Sequence, residues 1–488
     1  MKKQTKVLLA AAMLTLGASF SAMAAEKGTW VLESDGWYCY DEDGVAWTDT
    51  FCLSYGTEFY VDDEGLLGSC MWLEADNDND DLYYIQSDGT KTTNAWKYIL
   101  PYEAEDDDEE GWFWFDAKGR MAKDKRVLIG DDYYYFDAEG NLLTGWVNYS
   151  QNSDGSYSVA AAKTGDPVAN MIYATETGAR ATNMWIDEIV WGMDADDAEV
   201  EDYHYYYIGS TGKITTGKKD IGGLTYFFGT DGKMLTDWVG YTGKVYEEAA
   251  NDVTGYSALY YVGDKEQGYA KKNGWRKLAN SKSVNTEEED PSTYWFYFDK
   301  NGKAFLPKSA TDVDAVTFKD GTGVGTFEPT KSNAVEIKKI DGVEYLFGEN
   351  GQLVKGLKKF ADGKTYYYTY NGFVTGNTSI SDSDDYTYEF YFAEKNTTEL
   401  TKGQAVTGNA DDYLYVNGKL VKSSEKGVYK KVTTDAGEFI VNYLGKIQHR
   451  DSTKYELEDG TTWKLPEGYM FSKADGITEY SIVKKKAN

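Results

Sequence analysis

The stretch that decides the fold is Gly111-Trp112-Phe113-Trp114-Phe115-Asp116-Ala117-Lys118-Gly119, followed 21 residues on by Tyr133-Tyr134-Tyr135-Phe136-Asp137-Ala138-Glu139-Gly140. Four consecutive bulky residues, three turn-formers and a glycine make up the pattern, and a second short segment, often reaching Trp, comes after it. Aromatic and β-branched residues favour the pleated strand, while Asp, Asn, Lys and Gly supply the turn, so each copy predicts a β-hairpin. Tyr205-Tyr206-Tyr207-Ile208 before Gly212 is a third clear copy, and others precede Gly44, Gly65, Gly89, Gly178, Gly232, Gly302, Gly351 and Gly372. A looser copy surrounds Gly268. Side chains alternate along a strand, so residues seven and five before the glycine share one face and those six and four before it share the other. A lone hairpin is marginal in water, and each must bury an aromatic face on its neighbours. The expected fold is all-β, an elongated solenoid of stacked hairpins.

Working outward, the hairpins group. Gly119 to Gly212 spans 93 residues, Gly140 to Gly232 spans 92 and Gly178 to Gly268 spans 90. This predicts a three-hairpin super-repeat of about 90 residues, opened by hairpins that end at Trp96, Trp185 and Trp275. After each of these tryptophans comes an acidic insert: Glu103 to Glu110, Asp194 to Asp202 and Glu287 to Asp290. Beyond Gly376 the spacing and aromatic content drift. Residues 25–375 are therefore assigned to the repeats and 376–488 to divergent β structure or a terminal cap.

The first residues carry Lys2, Lys3 and Lys6, an apolar run from Val7 to Phe20, and small residues at Ala22 and Ala24. This has the form of a signal peptide over 1–24. The run is shorter than the roughly 20 residues that span a bilayer, and the expectation is export without membrane insertion. The whole chain has 50 Lys+Arg against 81 Asp+Glu. Without the three leader lysines the balance is 47 against 81, or −34. Such a polyanion does not bind nucleic acid by phosphate neutralisation. With 42 Tyr, 20 Phe and 14 Trp it carries far more apolar surface than a disordered acidic chain.

His204 and His449 are the only histidines, which argues against Ser-His-Asp, Cys-His and His-rich zinc chemistry. Cys39, Cys52 and Cys70 are an odd count, leaving open one disulfide and one thiol. The longest hairpin-free stretch before residue 376, Pro307 to Asp341, is too short for a catalytic domain of ordinary size. The chain is accordingly read as non-enzymatic, the alternative being a hydrolase whose catalytic region lies in the C-terminal part. No cofactor is expected. The acidic inserts read as solvated loops, with weak calcium binding through clustered carboxylates as the alternative. Asp76 to Asp81 begins like a calcium loop but has Asp81 where Gly is needed and Ser87 where Glu is needed, so it is not an EF-hand.

Gly111 to Trp146 and Tyr205 to Trp238 resemble the cell-wall-binding repeats shared by choline-binding proteins, glucan-binding proteins and the receptor-binding ends of clostridial toxins. Thr144-Gly145-Trp146 matches the family's strand ending, and Trp238 stands at the same offset. The resemblance implies ligand cages formed from strand aromatics, a terminal Trp and a ring of the next hairpin. Carried over by position, the candidates are Trp112, Trp114, Tyr133, Tyr135, Trp146, Trp185, Tyr205, Tyr207, Trp238, Trp275, Trp295 and Tyr297. Where hairpins follow without an insert, the terminal Trp position holds Thr50, Lys125, Lys218 or Leu357. This counts against choline and favours a cell-wall polysaccharide or related glycan. Choline-type polymer binding and a host-glycan adhesin are the alternatives, and the sequence gives no oligomeric state. The expected location is secreted, wall-associated or extracellular.

Overall fold

The computed structural model describes residues 28–485 except 76–80, 106–108, 195–197, 250–252, 254, 280–292, 310, 316, 320–323, 327–333, 382–384, 436 and 474–479. The leader, Asp76–Asp80, Glu287–Asp290 and the middles of the other two acidic inserts lie outside the described residues. The described residues are all-β, arranged as short antiparallel ladders joined by tight turns. Among the described residues the helical elements are two short 3-10 turns, Val168–Asn170 and Val200–Asp202.

The turn after each aromatic strand is held by its acidic first residue. Asp116 Oδ1 accepts hydrogen bonds from the backbone N–H of Lys118 at 2.8 Å and of Arg120 at 2.9 Å. The same clamp recurs at Asp41, Asp62 and Asp299. An Asx side chain substitutes here for backbone turn bonds, which explains the Asp before the glycine.

This turn closes with an isolated bridge, Phe115 to Met121, while the longer ladders lie on the other side of the strand. Ala95–Ile99 pairs with Gly111–Phe115 across the first acidic insert, and Lys125–Ile129 pairs with Asp132–Phe136 across a two-residue turn. The hairpin is therefore shifted in phase from the one read in the sequence. The acidic inserts are its tips. Where there is no insert the tip is a pair such as Tyr55-Gly56 or Asp341-Gly342, with positive φ at both residues, the geometry that matches strand twist in two-residue hairpin loops.

The super-repeat is visible in the sheets. Met184–Ile189 with Tyr203–Ile208, then Gly217–Ile221 with Leu224–Phe228, then a three-stranded sheet centred on Asp237–Tyr241 repeat the preceding order. In that preceding order the three-stranded sheet is centred on Gly145–Gln151. A third copy opens with Gly274–Ala279 and Thr293–Phe298. It then departs into a six-stranded sheet that takes in Thr311–Ala315, Ala334–Ile340 and Val343–Gly348. From Gly376 on, the described residues form two five-stranded sheets and the short ladder Lys454–Glu456 with Thr462–Lys464, with apolar clusters around Leu414 and Val441 and around Ile440 and Tyr455.

The chain divides into two compact units, Met1–Lys219 with Phe228–Met234, and Asp220–Phe227 with Leu235–Asn488. Within the first, each hairpin locks to an earlier one in two ways. The second residue after a turn glycine donates its N–H to an earlier aromatic strand: Met121 to the Leu82 carbonyl, Leu142 to Trp112, Arg180 to Tyr133. Its side chain lies over the glycine of the following turn. A Cβ on Gly140 would come within 2.5 Å of Met121, and one on Gly178 within 2.6 Å of Leu142. The glycine thus serves both the turn, at φ near +80°, and the seat for its neighbour. The second unit uses the same N–H link, Ala304 to the Leu259 carbonyl and Ala405 to Thr365.

The core face is the one six and four residues before the glycine. Phe113 and Phe115, Tyr206 and Ile208, and Phe296 and Phe298 are all fully buried. Trp112, Trp114, Tyr205 and Tyr207 occupy the opposite, more open face. Tyr135 departs from this alternation, because Val147, Val159, Ile172 and Ala174 cover it from the neighbouring sheet.

Candidate aromatic ligand sites

One ring arrangement recurs. A tryptophan six or seven residues after a turn glycine sits opposite an aromatic on its own ladder and also meets a ring of a later strand. Trp96 lies opposite Trp114, with centroids 5.3 Å apart, and 5.1 Å from Tyr134. Trp185 lies opposite Tyr207 at 5.2 Å and 5.8 Å from Phe228. Trp275 lies opposite Tyr297 at 5.3 Å, with Tyr345 at 4.8 Å and Phe347 stacked at 5.7 Å. Trp72 repeats the theme with Tyr84, Phe113 and Phe115. The inserts do not interrupt these sets, because they lie at the hairpin tips.

The candidates differ in what covers them. Trp112 is 49 % exposed and packs 5.2 Å from Tyr98, itself 52 % exposed, with Trp96 at 6.4 Å beneath the pair. Trp114, Trp185, Tyr205, Tyr207, Trp275, Trp295 and Tyr297 are half-buried. Trp146 and Trp238 are buried. Trp146 is ringed by Tyr173, Trp191 and Tyr206, and its Nε1 donates to the Ile189 carbonyl at 3.0 Å. Trp238 meets Tyr261, Phe296 and Phe298. Both stand six residues after their turn glycine, yet their rings lie in the core. Tyr135 is buried too, and that burial pushes its phenol up.

Tyr133 is half-buried beneath two guanidinium groups, Arg126 at 4.4 Å and Arg180 at 4.6 Å from its ring centre. Arg126 faces Tyr135 across its ladder, the slot that Trp96 fills opposite Trp114. At the Gly44 junction the slot falls on Phe51, opposite Tyr60, rather than on Thr50. Lys125 likewise yields to Arg126, one residue on, while Leu357 itself faces Tyr367. Trp96 and Tyr98 are absent from the sequence-derived set; Trp96 stands seven residues after Gly89, the offset that Trp185 and Trp275 hold after Gly178 and Gly268, and Tyr98 follows two residues on, on the same strand face.

Cys39 and Cys52, both buried, are hydrogen-bonded to one another, and burial pushes both thiols up; Cys70 is exposed. Among the described residues no cluster of His, Cys, Asp and Glu is disposed to hold a metal ion, and no helix is long and apolar enough to cross a membrane.

No protein-family model matches the chain. Glucosyltransferase-S of Streptococcus mutans serotype c is 24% identical over 354 residues, covering 71% of this chain. Glucosyltransferase-I of Streptococcus downei is 26% identical over 302 residues, covering 56% of this chain. In each case the match spans 18% of the length of the relative. Among solved structures, the choline-binding domain of CbpL from Streptococcus pneumoniae is 25% identical, covering 43% of this chain and 97% of that domain, with a TM-score of 0.22. The array of aromatic β-hairpins described above is thus similar in sequence to parts of two streptococcal glucosyltransferases.

Proposed function

We propose that this chain is a non-catalytic surface protein that binds a cell-wall polysaccharide or related glycan through its open ring platforms. The observation that carries the reading is the Tyr98–Trp112 pair, two adjoining rings about half exposed and fixed from below by Trp96. A sugar ring lays its apolar C–H face on such a surface while its hydroxyls stay in water. A single platform of this size binds weakly, and repetition supplies avidity. The formal net charge of −31 disfavours attraction to a phosphate-rich polymer by charge alone. Secretion and retention at the wall belong to this proposal, and the glucosyl transfer named for the relatives is not assigned to this chain. The acidic inserts act as solubilising tips, calcium being the alternative that a chelator tests.

The experiment is sedimentation of the protein with purified cell walls, competed separately by soluble glucan, choline and a calcium chelator. Release by glucan is expected. Release by choline alone would overturn the glycan reading, and release by chelator alone would move the binding to the acidic inserts.

A further inference from the structure

At several turns up to Gly232 the side chain of the second residue after the glycine lies over a following turn glycine, and an apolar side chain suffices for this. Leu67 does so on Gly89, Met121 on Gly140, Leu142 on Gly178 and Ile214 on Gly232. At two positions 89 residues apart, equivalent in the super-repeat, the residue is a cation instead. Lys91 lays its stem over Gly119, where a Cβ would come within 2.4 Å of Lys91 Cδ. Its ammonium nitrogen then lies 4.3 Å from the ring centre of Phe51 and 4.5 Å from that of Tyr83. Arg180 lays its stem over Gly212, within 2.5 Å of a Cβ there, and its guanidinium lies 4.6 Å from the Tyr133 ring centre. Arg126 adds a second cation to that ring and reaches Tyr149 at 5.2 Å.

Stacking the hairpins does not require these charges, but the rings beneath them do attract a cation. An aromatic face within about 6 Å binds ammonium and guanidinium groups electrostatically, and a pair of faces binds more strongly than one. We propose that Lys91 is an internal ligand and that the Phe51–Tyr83 cleft is a latent quaternary-ammonium site closed by the chain's own lysine. Arg180 and Arg126 close the Tyr133 face in the same way. The ammonium competes as a tethered group at high effective concentration, because its stem is already fixed on Gly119. These two clefts therefore reject choline-like ligands. The inference rests on ring and cation geometry and stands apart from the glycan reading, which concerns Tyr98 and Trp112.

The test is calorimetric titration of choline into the wild-type chain, Lys91→Ala and Lys91→Met. Methionine keeps an apolar stem on Gly119 and fills the cleft, whereas alanine opens it. Lys91→Ala should gain one choline site per chain, about tenfold tighter than anything at that cleft in the wild type, while Lys91→Met should match the wild type. Circular dichroism establishes that each variant is folded, and Lys91→Ser is a second opening variant if alanine does not fold. A folded opening variant that gains no site, or a wild-type chain that already binds as many cholines, overturns the proposal. Glucan-released wall binding, followed on the same variants, should stay unchanged. Its absence in the wild type would count against the glycan reading and leave the internal-ligand proposal standing.

Discussion

Trp96 and Trp146 hold the same place in the repeat, each opposite an aromatic on its own ladder and against a ring from a later strand, yet they end in different surroundings. Over Trp146 the chain adds Trp191 and takes up the indole N–H with the Ile189 carbonyl, sealing the set. Beside Trp96 it adds Trp112 and Tyr98, which leave the set open to solvent on one side. The motif itself thus does not specify a ligand site. What lies on top of it decides between core and platform.

The comparison is broken most forcefully at the sealed set. Trp146→Ala should lower stability by about 3–5 kcal/mol, the usual cost of removing a large buried aromatic. The loss should fall on the ladders that touch Trp146, because stacked repeats contact only their neighbours. Hydrogen exchange resolved along the chain reads this directly, and uniform loss of protection would argue against repeat-by-repeat stacking. Next in size, Gly119→Ala forces both a left-handed φ of +79° and a clash with Lys91, whereas Gly130→Ala at φ +64° meets open space. The first should cost about 2 kcal/mol and the second about 1 kcal/mol by chemical denaturation. Equal costs would remove the seat from the account.

At the open set, Trp112→Ala should change stability by less than about 1 kcal/mol. It should weaken binding of a soluble glucan oligosaccharide about threefold to tenfold, as expected for loss of one stacking ring. The smallest effect is in pH. Burial, then the hydrogen bond that Tyr173 donates to Glu188 at 3.0 Å, pushes its phenol up to about 12; burial raises Tyr260 to about 12 as well. A phenol whose folded pKa exceeds its unfolded value near 10 binds its proton more tightly in the folded chain. Its contribution to stability is therefore complete below about pH 10 and is lost as pH rises from there through about 12. Tyrosinate absorbance and the denaturation midpoint followed over that window should move together; a midpoint unchanged across it would contradict the assignment.

Much of this was legible in the sequence because the repeat is written in short-range chemistry. The Asp and Gly of each turn, the alternating strand faces and the 90-residue period all follow from residue type and spacing. The phase of the hairpin was not legible. Asp116 and Gly119 announce a turn strongly, and nothing local says that it closes on a single bridge while the long ladder forms across Gly130 or across an acidic tip. The same limit hid the ligand platforms. Trp96 and Trp146 hold like places in the sequence, and their difference rests on Trp191 over one and Trp112 beside the other, which reach them through packing. The cations were visible as Lys91 and Arg180, but their role depends on rings 40 and 47 residues earlier, Phe51 and Tyr133.

The most direct test of the central claim is titration of a soluble glucan into the wild-type chain, the double variant Tyr98→Ala/Trp112→Ala and Trp114→Phe, with wall sedimentation measured on the same preparations. The account predicts that the double variant stays folded, loses most of its affinity for the glucan and sediments less with walls, while Trp114→Phe, which keeps a ring, behaves nearly as wild type. Glucan and wall binding by the double variant at full wild-type strength would contradict it.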